Sequence, residues 1–269
     1  MVYVQGVKLV QVHVSGQLDI STVSSVVYLQ ASVGGADLIQ VASSIDNQIM
    51  KLMVSPSIAK PQDLRGKTLA VTGFGSLTDL LLRPALKNWG LEPQRDVKIV
   101  QIGRMPDIAI AIAQKTVDGG MVSFPTSVHA EKFNLKTMLD FSESGFESPA
   151  STVVVSRRYA NANRDAVLRF LKAYIEGTKR LLTDRELGIR ALRKYGGVTD
   201  RDMLATTHDL FASRYIKKIP KINPKGVDNS LSLIAENNPK AKGRKAEEFM
   251  DSSFMDELEA TGFIKSVWP

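Results

Sequence analysis

An α/β protein of two lobes with mostly parallel sheets is predicted by three features of the sequence. From residue 68 to residue 141, short apolar runs alternate with stretches of helical periodicity, the pattern of strands lying beneath crossover helices. The stretch 15–44 repeats in weaker form the order of elements in 115–141. Each has an apolar residue before an aspartate (Leu18 and Asp19, Val117 and Asp118), then a short strand, a small helix and another strand. Finally, 269 residues suffice for one large domain or two ordinary ones, at about 150 residues per domain.

The elements follow in order. The opening VKLVQVHV alternates enough to pass for a strand, although a helix leading into Ser15 and Gly16 suits the internal repeat better. SGQLDIS (15–21) precedes a helix over 24–33 and the strand ADLIQVASS. TLAV (Thr68–Val71) is a strand, Leu77–Asn88 a helix closed by Gly90, and DVKIVQI (96–102) the next strand. A short apolar helix over 106–115, a strand over 117–122, a helix over 126–133 and a strand over 135–141 complete the block. SESGFESPAS reads as a polar connection into the β-branched run TVVVS (152–156), which must be extended. Helices are then predicted over 163–182, 185–195, 200–214 and 226–237, capped by Asn163, by Thr183 or Asp184, and by Thr199. NNPKAKGRK (237–245) reads as a solvated loop, and 247–260 as a last helix stopped by Gly262.

Composition narrows the chemistry. Hydrophobic residues make up 43% and charged residues 23%, as in ordinary globular proteins. Without cysteine, there are no disulfides, thiolate nucleophiles or cysteine-ligated metal sites. The net charge of +7 is spread along the chain rather than clustered, so nucleic acid is not expected as a partner. No apolar run approaches the ~18 residues of a membrane span, so direct membrane insertion is not expected either. The start, MVYVQGVKLVQVHVSG, has no basic segment, long apolar stretch or small-residue cleavage site, and no signal peptide is expected in it.

The segment 63–86, DLRGKTLAVTGFGSLTDLLLRPAL, carries the most chemical information. A strand ends at Val71, the loop TGFGS follows, and a helix begins near Leu77. Gly73 and Gly75 let the backbone turn sharply and approach a ligand, and Ser76 and Thr78 can cap the helix or turn their hydroxyls outward. The first amides of the helix lack internal partners and sit at the positive end of a dipole worth roughly half a unit charge, which suits an anion. A tight strand-to-helix turn with no ligand is the plainer reading. The G-x-G is not evidence of a dinucleotide site, because the third glycine of that motif is missing at Leu77, Thr78 and Asp79, and no P-loop Gly-Lys-Ser/Thr follows.

DLRGKTLAV, then GSLTD, LKNWGLEPQRDVKIVQI and an AQKTVDG segment, with SGQLDIS upstream and EFMDSSFMDELEATGFI near the end, form an ordered set. In this combination the chain resembles the NMT1/THI5-like and sulfonate/taurine/nitrate group of ABC-transporter substrate-binding proteins, from about residue 6 to residue 263. The resemblance implies a periplasmic-binding-protein fold of the second type. Lobe one would comprise 1–55 and 150–269 and lobe two 56–149, joined by crossover strands near 49–55 and 150–156, with a ligand held in the cleft between them. It also implies that an export signal and a first strand-loop-helix unit are lacking before Val2, which leads us to expect an exposed sheet edge.

By position, the ligand-binding candidates are Ser21 and Thr22 after SGQLDI; Phe74, Gly75, Ser76, Leu77 and Thr78 at the helix start; and Ser123, Phe124 and Pro125 after VDGGMV. Helix capping for the hydroxyls and core packing for Phe124 are the structural alternatives.

The implied function is the solute-binding component of an ABC importer, taking a small organic anion or heterocycle: a sulfonate, carboxylate or pyrimidine-like molecule. Its partners would be that ligand and a membrane permease, its location periplasmic or extracytoplasmic, and its state monomeric. No catalysis, cofactor or metal is expected. His13, His129 and His208 lack ligand spacing, and no G-x-S-x-G elbow or paired acid and base stands at a strand end. Two alternatives remain: a pyrimidine-precursor synthase of thiamine biosynthesis, whose cysteine-rich motif this chain lacks, and a cytoplasmic effector-sensing domain, for which no helix-turn-helix precedes the lobes.

Overall fold

The computed structural model describes residues 6–196 and 199–269. The chain divides into two compact units, one formed by 1–47 and 147–269, the other by 48–146. The borders of these units fall eight residues before the expected lobe border at 55/56 and three before that at 149/150. No helix among the described residues is long and apolar enough to cross a membrane.

Unit one opens with α1 (Gly6–Val14), which settles the ambiguity of that segment in favour of a helix. β1 (Ile20–Val23), α2 (Ser25–Val33) and β2 (Leu38–Asn47) follow, and the chain returns to this unit with β8 (Glu147–Ser156). β8 is the centre of a three-stranded sheet, β1-β8-β2, and runs antiparallel to both neighbours. The helices α6 (Arg157–Ala162), α7 (Arg164–Thr183), α8 (Arg185–Gly196), α9 (Arg201–Leu210), α10 (Pro224–Ala235), α11 (Ser253–Ala260) and α12 (Phe263–Val267) complete it. Burial of apolar surface holds the sheet to α7, α11 and α12: Ile39, Val41, Val153 and Val155 pack against Leu171, Ile175, Phe254, Leu258 and Ile264.

Unit two contains β3 (Met50–Val54), β4 (Thr68–Val71), α3 (Leu77–Asn88), β5 (Lys98–Gln101), α4 (Met105–Ala113), β6 (Gly119–Ser123), α5 (Thr126–Glu131) and β7 (Lys136–Asp140). Its five strands run β5-β4-β6-β3-β7; β4 is parallel to β5 and β6, and β3 antiparallel to β6 and β7. The five-stranded sheet is therefore mixed and both ladders of the three-stranded sheet are antiparallel, so neither is mostly parallel. The antiparallel members are β3 and β8, the stretches expected as crossovers, and neither follows a helix that would carry the chain back to the starting edge of its sheet.

Two glycines let unit two pack closely. A Cβ on Gly119 would lie 2.8 Å from both Leu69 Cδ2 and the Met53 carbonyl oxygen, and one on Gly120 would collide with Ile108. β6 thereby sits tightly between β3 and β4, and α4 presses Ile108, Ala109 and Ile112 onto Met53, Ala70 and Val122.

Several boundaries differ from the expectations, for local reasons. β5 is confined to Lys98–Gln101, because a turn entered at Gln94, with φ 70°, extends through Asp96, and Val97 forms only an isolated bridge with Pro93. The polar residues 147–151 belong to β8, where Ser148 is buried among other hydroxyls. Asp200, not Thr199, caps α9, its carboxylate accepting the Met203 amide at 3.0 Å. The last expected helix is split into a 3-10 turn at Ala246–Glu248 and α11, and Gly262, at φ 76°, leads into α12 instead of ending the helical structure.

Candidate functional site

The parallel order of unit two identifies where a ligand crevice belongs. β4 leads through α3 to β5 on one side, and the chain then crosses to β6 on the other side of β4. The loops leaving β4 and β6 therefore diverge at the carboxyl end of the sheet, the position at which open α/β sheets bind ligands. They are 72–76 and 124–125, and with Ser123 at the end of β6 they include most of the candidates.

In the first loop only Gly75 needs a glycine backbone, with φ 73°; Gly73 has no such requirement. Three hydroxyls form a ring: Thr72 Oγ1 donates to Ser76 Oγ at 3.0 Å and lies 2.9 Å from Thr78 Oγ1, which is 2.8 Å from Ser76 Oγ. Thr78 Oγ1 also accepts the Thr72 amide at 2.9 Å, tying the end of β4 to the start of α3. Ser76 stands at the N-cap position without its side chain capping the helix, so its hydroxyl remains within the ring.

The loop amides are less open than the sequence suggested. The Phe74 amide donates to Gln101 Oε1 at 2.7 Å and the Gly75 amide to Asp79 Oδ2 at 2.9 Å. Asp79 is buried, and Arg83 Nε binds its other oxygen at 2.7 Å. What the helix start still offers is the first-turn amides of Leu77 and Thr78, which have no intrahelical acceptor, beside the hydroxyl ring. Phe74 extends outward, 51% exposed, with the Arg83 guanidinium 5.7 Å from its ring centroid.

In the second loop, Ser123 Oγ lies 3.2 Å from Met105 Sδ and 3.3 Å from the Phe124 carbonyl. Phe124 is half-buried and joined to Pro125 by a cis peptide bond. The register sets Met50 opposite Ser123 and Lys51 opposite Val122 and Asp140, bringing the Lys51 ammonium 5.7 Å from the Phe124 ring and 3.4 Å from the Asp140 carboxylate.

Ser21 and Thr22 are not brought to a strand-end loop. Both lie inside β1; the buried Ser21 hydroxyl is 2.8 Å from His13 Nδ1, and Thr22 is exposed. The residue at the N-cap position of α2 is Ser24. Gln101, Asp79, Arg83 and Lys51 were missed from sequence. Of these, only the i, i+4 spacing of Asp79 and Arg83 on the helix was a readable signal. A cavity of about 340 Å³ at the opposite end of the same sheet, lined by Ser55, Ser57, Lys115, Val117 and Asp118 among others, shares none of these residues.

Comparison with known proteins bears on the family and the fold. The family model described as NMT1/THI5 like matches residues 3–186. The chain belongs to the NMT1/THI5 like family. The taurine-binding periplasmic protein of Escherichia coli strain K12 is a relative 31% identical over 160 residues, which are 56% of this chain and 49% of that protein, so the match spans about half of the relative's length.

Solved structures related to this NMT1/THI5 like chain cover nearly all of it. A protein of Bordetella bronchiseptica RB50 aligns with TM-score 0.82 at 17% identity, over 96% of this chain and 85% of its own. The aliphatic sulphonate binding protein of Escherichia coli aligns with TM-score 0.75 at 18% identity, over 94% and 86%. The alkanesulfonate-binding protein of Xanthomonas axonopodis pv. citri, solved with bound MOPS, gives 0.73 at 20% identity, over 92% and 85%. These likenesses establish an α/β fold of the periplasmic-binding-protein kind.

Proposed function

We propose that this chain is the solute-binding component of an ABC importer, working outside the cytoplasm, and that it captures a small organic anion without transforming it. A sulfonate is the first choice, because the taurine- and sulfonate-binding relatives carry that ligand class in their names. Carboxylates and pyrimidine-like heterocycles follow.

The observation that carries this reading is the convergence of the Thr72, Ser76 and Thr78 hydroxyls with the Leu77 and Thr78 amides at the switch point of the unit-two sheet. Such donors satisfy a tetrahedral or planar oxyanion by hydrogen bonding and a favourable helix dipole, with no need for a full countercharge. Ser123 and Phe124 line the neighbouring loop, and the exposed Phe74 ring offers apolar area for the rest of the guest. A membrane permease would receive the loaded protein.

Isothermal titration with taurine, longer alkanesulfonates, aromatic sulfonates, carboxylates and pyrimidines tests this. One-to-one heat with a sulfonate or another organic anion is the expected result. Absence of heat with every anion contradicts it, and conversion of a pyrimidine would favour the synthase alternative.

A further inference from the structure

Each loop of the candidate site presents an aromatic ring with a cation beside it. Phe74, in the loop after β4, is exposed and has the Arg83 guanidinium 5.7 Å from its ring centroid. Phe124, in the loop after β6, has the Lys51 ammonium 5.7 Å from its centroid. At such distances the negative face of the ring attracts the cation.

The two cations differ in what they can still offer. Lys51 is spent: its ammonium lies 3.4 Å from Asp140 and 3.7 Å from Glu131, and its side chain is largely covered. Arg83 is anchored at a single atom. Its Nε donates to the buried Asp79 carboxylate at 2.7 Å, and neither terminal nitrogen has a hydrogen-bond partner among the described residues. With 25% of its side chain exposed, the guanidinium stands fixed beside an exposed ring and keeps its terminal N–H donors in reserve.

The carboxylates beside these residues are already committed. Asp79 divides its oxygens between the Gly75 amide and Arg83. Asp140 accepts the Ser142 amide and hydroxyl on one oxygen, at 2.9 and 2.6 Å, and faces Lys51 with the other. An ammonium on a guest would therefore meet the Arg83 charge with no open acceptor to offset it. An aromatic ring can instead stack on Phe74, and a carboxylate can take the terminal nitrogens of Arg83 side by side.

We propose that Phe74 and Arg83 form a tail subsite that selects organic sulfonates with an aromatic tail, preferably one bearing a carboxylate, and rejects aminoalkyl tails such as that of taurine. This rests on the solute-binding reading above and narrows its guest. The sulfonate head lies at the Thr72, Ser76 and Thr78 hydroxyls, and the tail runs towards Phe74 and Arg83. Head and tail are within reach of one small molecule, because Phe74 stands two residues before Ser76 and Arg83 folds back along α3 to Asp79. Four sulfonates separate the contributions. Methanesulfonate has the head alone, benzenesulfonate adds a ring, para-sulfobenzoate adds a ring and an anion, and taurine adds a cation.

Calorimetric titration of these four into wild type, Phe74→Ser and Arg83→Gln tests the proposal. In the wild type, benzenesulfonate should bind about tenfold more tightly than taurine, and para-sulfobenzoate more tightly still. Phe74→Ser should remove most of the advantage of benzenesulfonate over methanesulfonate, and Arg83→Gln that of para-sulfobenzoate over benzenesulfonate. The ratios are the readout, because Arg83→Gln also leaves the Asp79 charge near the head group and weakens all four guests together, as a purely structural role would. Circular dichroism checks that Arg83→Gln is folded; Phe74→Ser changes an exposed side chain and carries the test if it is not. Taurine bound as tightly as benzenesulfonate, or a ratio unmoved by the variant that governs it, overturns the proposal and leaves the solute-binding reading standing. Heat from none of the four sulfonates overturns both.

Discussion

The carboxylate of Asp79 holds the Gly75 amide at 2.9 Å, four residues back along the chain, so the start of α3 carries an anion of its own. Arg83 neutralises that charge from the next turn at 2.7 Å. Asp79→Ala leaves the half-buried Gly75 amide unsatisfied and a largely covered guanidinium alone, and should lower stability by about 1–3 kcal/mol. Urea unfolding monitored by circular dichroism measures the shift in midpoint.

Ser76 belongs to the hydroxyl ring but caps no helix amide, so its hydroxyl can turn to a guest at little cost to the fold. Ser76→Ala should weaken binding of an organic sulfonate by about tenfold or more, the worth of one charge-assisted hydrogen bond. Stability should change by less than about 1 kcal/mol. Thr78→Val differs, because Thr78 also accepts the Thr72 amide, and it should reduce both affinity and stability. Calorimetric titration paired with thermal unfolding separates the two effects.

His13 supplies a pH dependence. Burial pushes its pKa below the ordinary 6.5, and the opposing pull of Asp19 is smaller. The folded state therefore holds the neutral ring, and protons bind preferentially to the unfolded chain. The contribution is complete above about pH 6.5 and is lost as the pH falls below it, at up to about 1.4 kcal/mol per pH unit until the folded-state pKa is reached. Thermal midpoints of wild type and His13→Leu between pH 8 and pH 5 check this; the variant should lack that part of the slope.

Gly119→Ala places a methyl 2.8 Å from the Met53 carbonyl and Leu69, where neither β3 nor β4 can retreat without breaking its ladder. A loss of about 1–3 kcal/mol is expected. Gly75→Ala meets open space but must hold φ at 73°, and should cost about 1 kcal/mol. Chemical denaturation of the two variants distinguishes crowding from backbone strain.

Much of unit two was legible in the sequence because its signals are local. TLAV and Leu77–Asn88 were bounded correctly, the strand by its buried run and the helix by Gly90, whose left-handed φ of 72° ends it. The polarity of the sheets was not legible, since it depends on where β3 and β8 insert and not on their composition. Residues 147–151 looked like a loop because Ser148 is polar; its burial against Ser230, 82 positions away, makes it part of a strand. The loop 72–78 was placed from glycine, serine and threonine spacing. Its satisfied amides were not, because Gln101 reaches it from the neighbouring strand. Ser21 was misplaced relative to β1 because its partner, His13, meets it only when α1 folds back on the strand.

In the proposed function a guest anion sits at the first turn of α3 beside Ser76. Amide chemical shifts of isotope-labelled protein, followed by NMR during titration with taurine and other organic sulfonates, test it most directly. Saturable shifts should appear at Thr72, Leu77 and Thr78 and in 123–126, and be weakened in Ser76→Ala. Saturable binding that leaves 72–78 unmoved, or no binding by any anion, would contradict it.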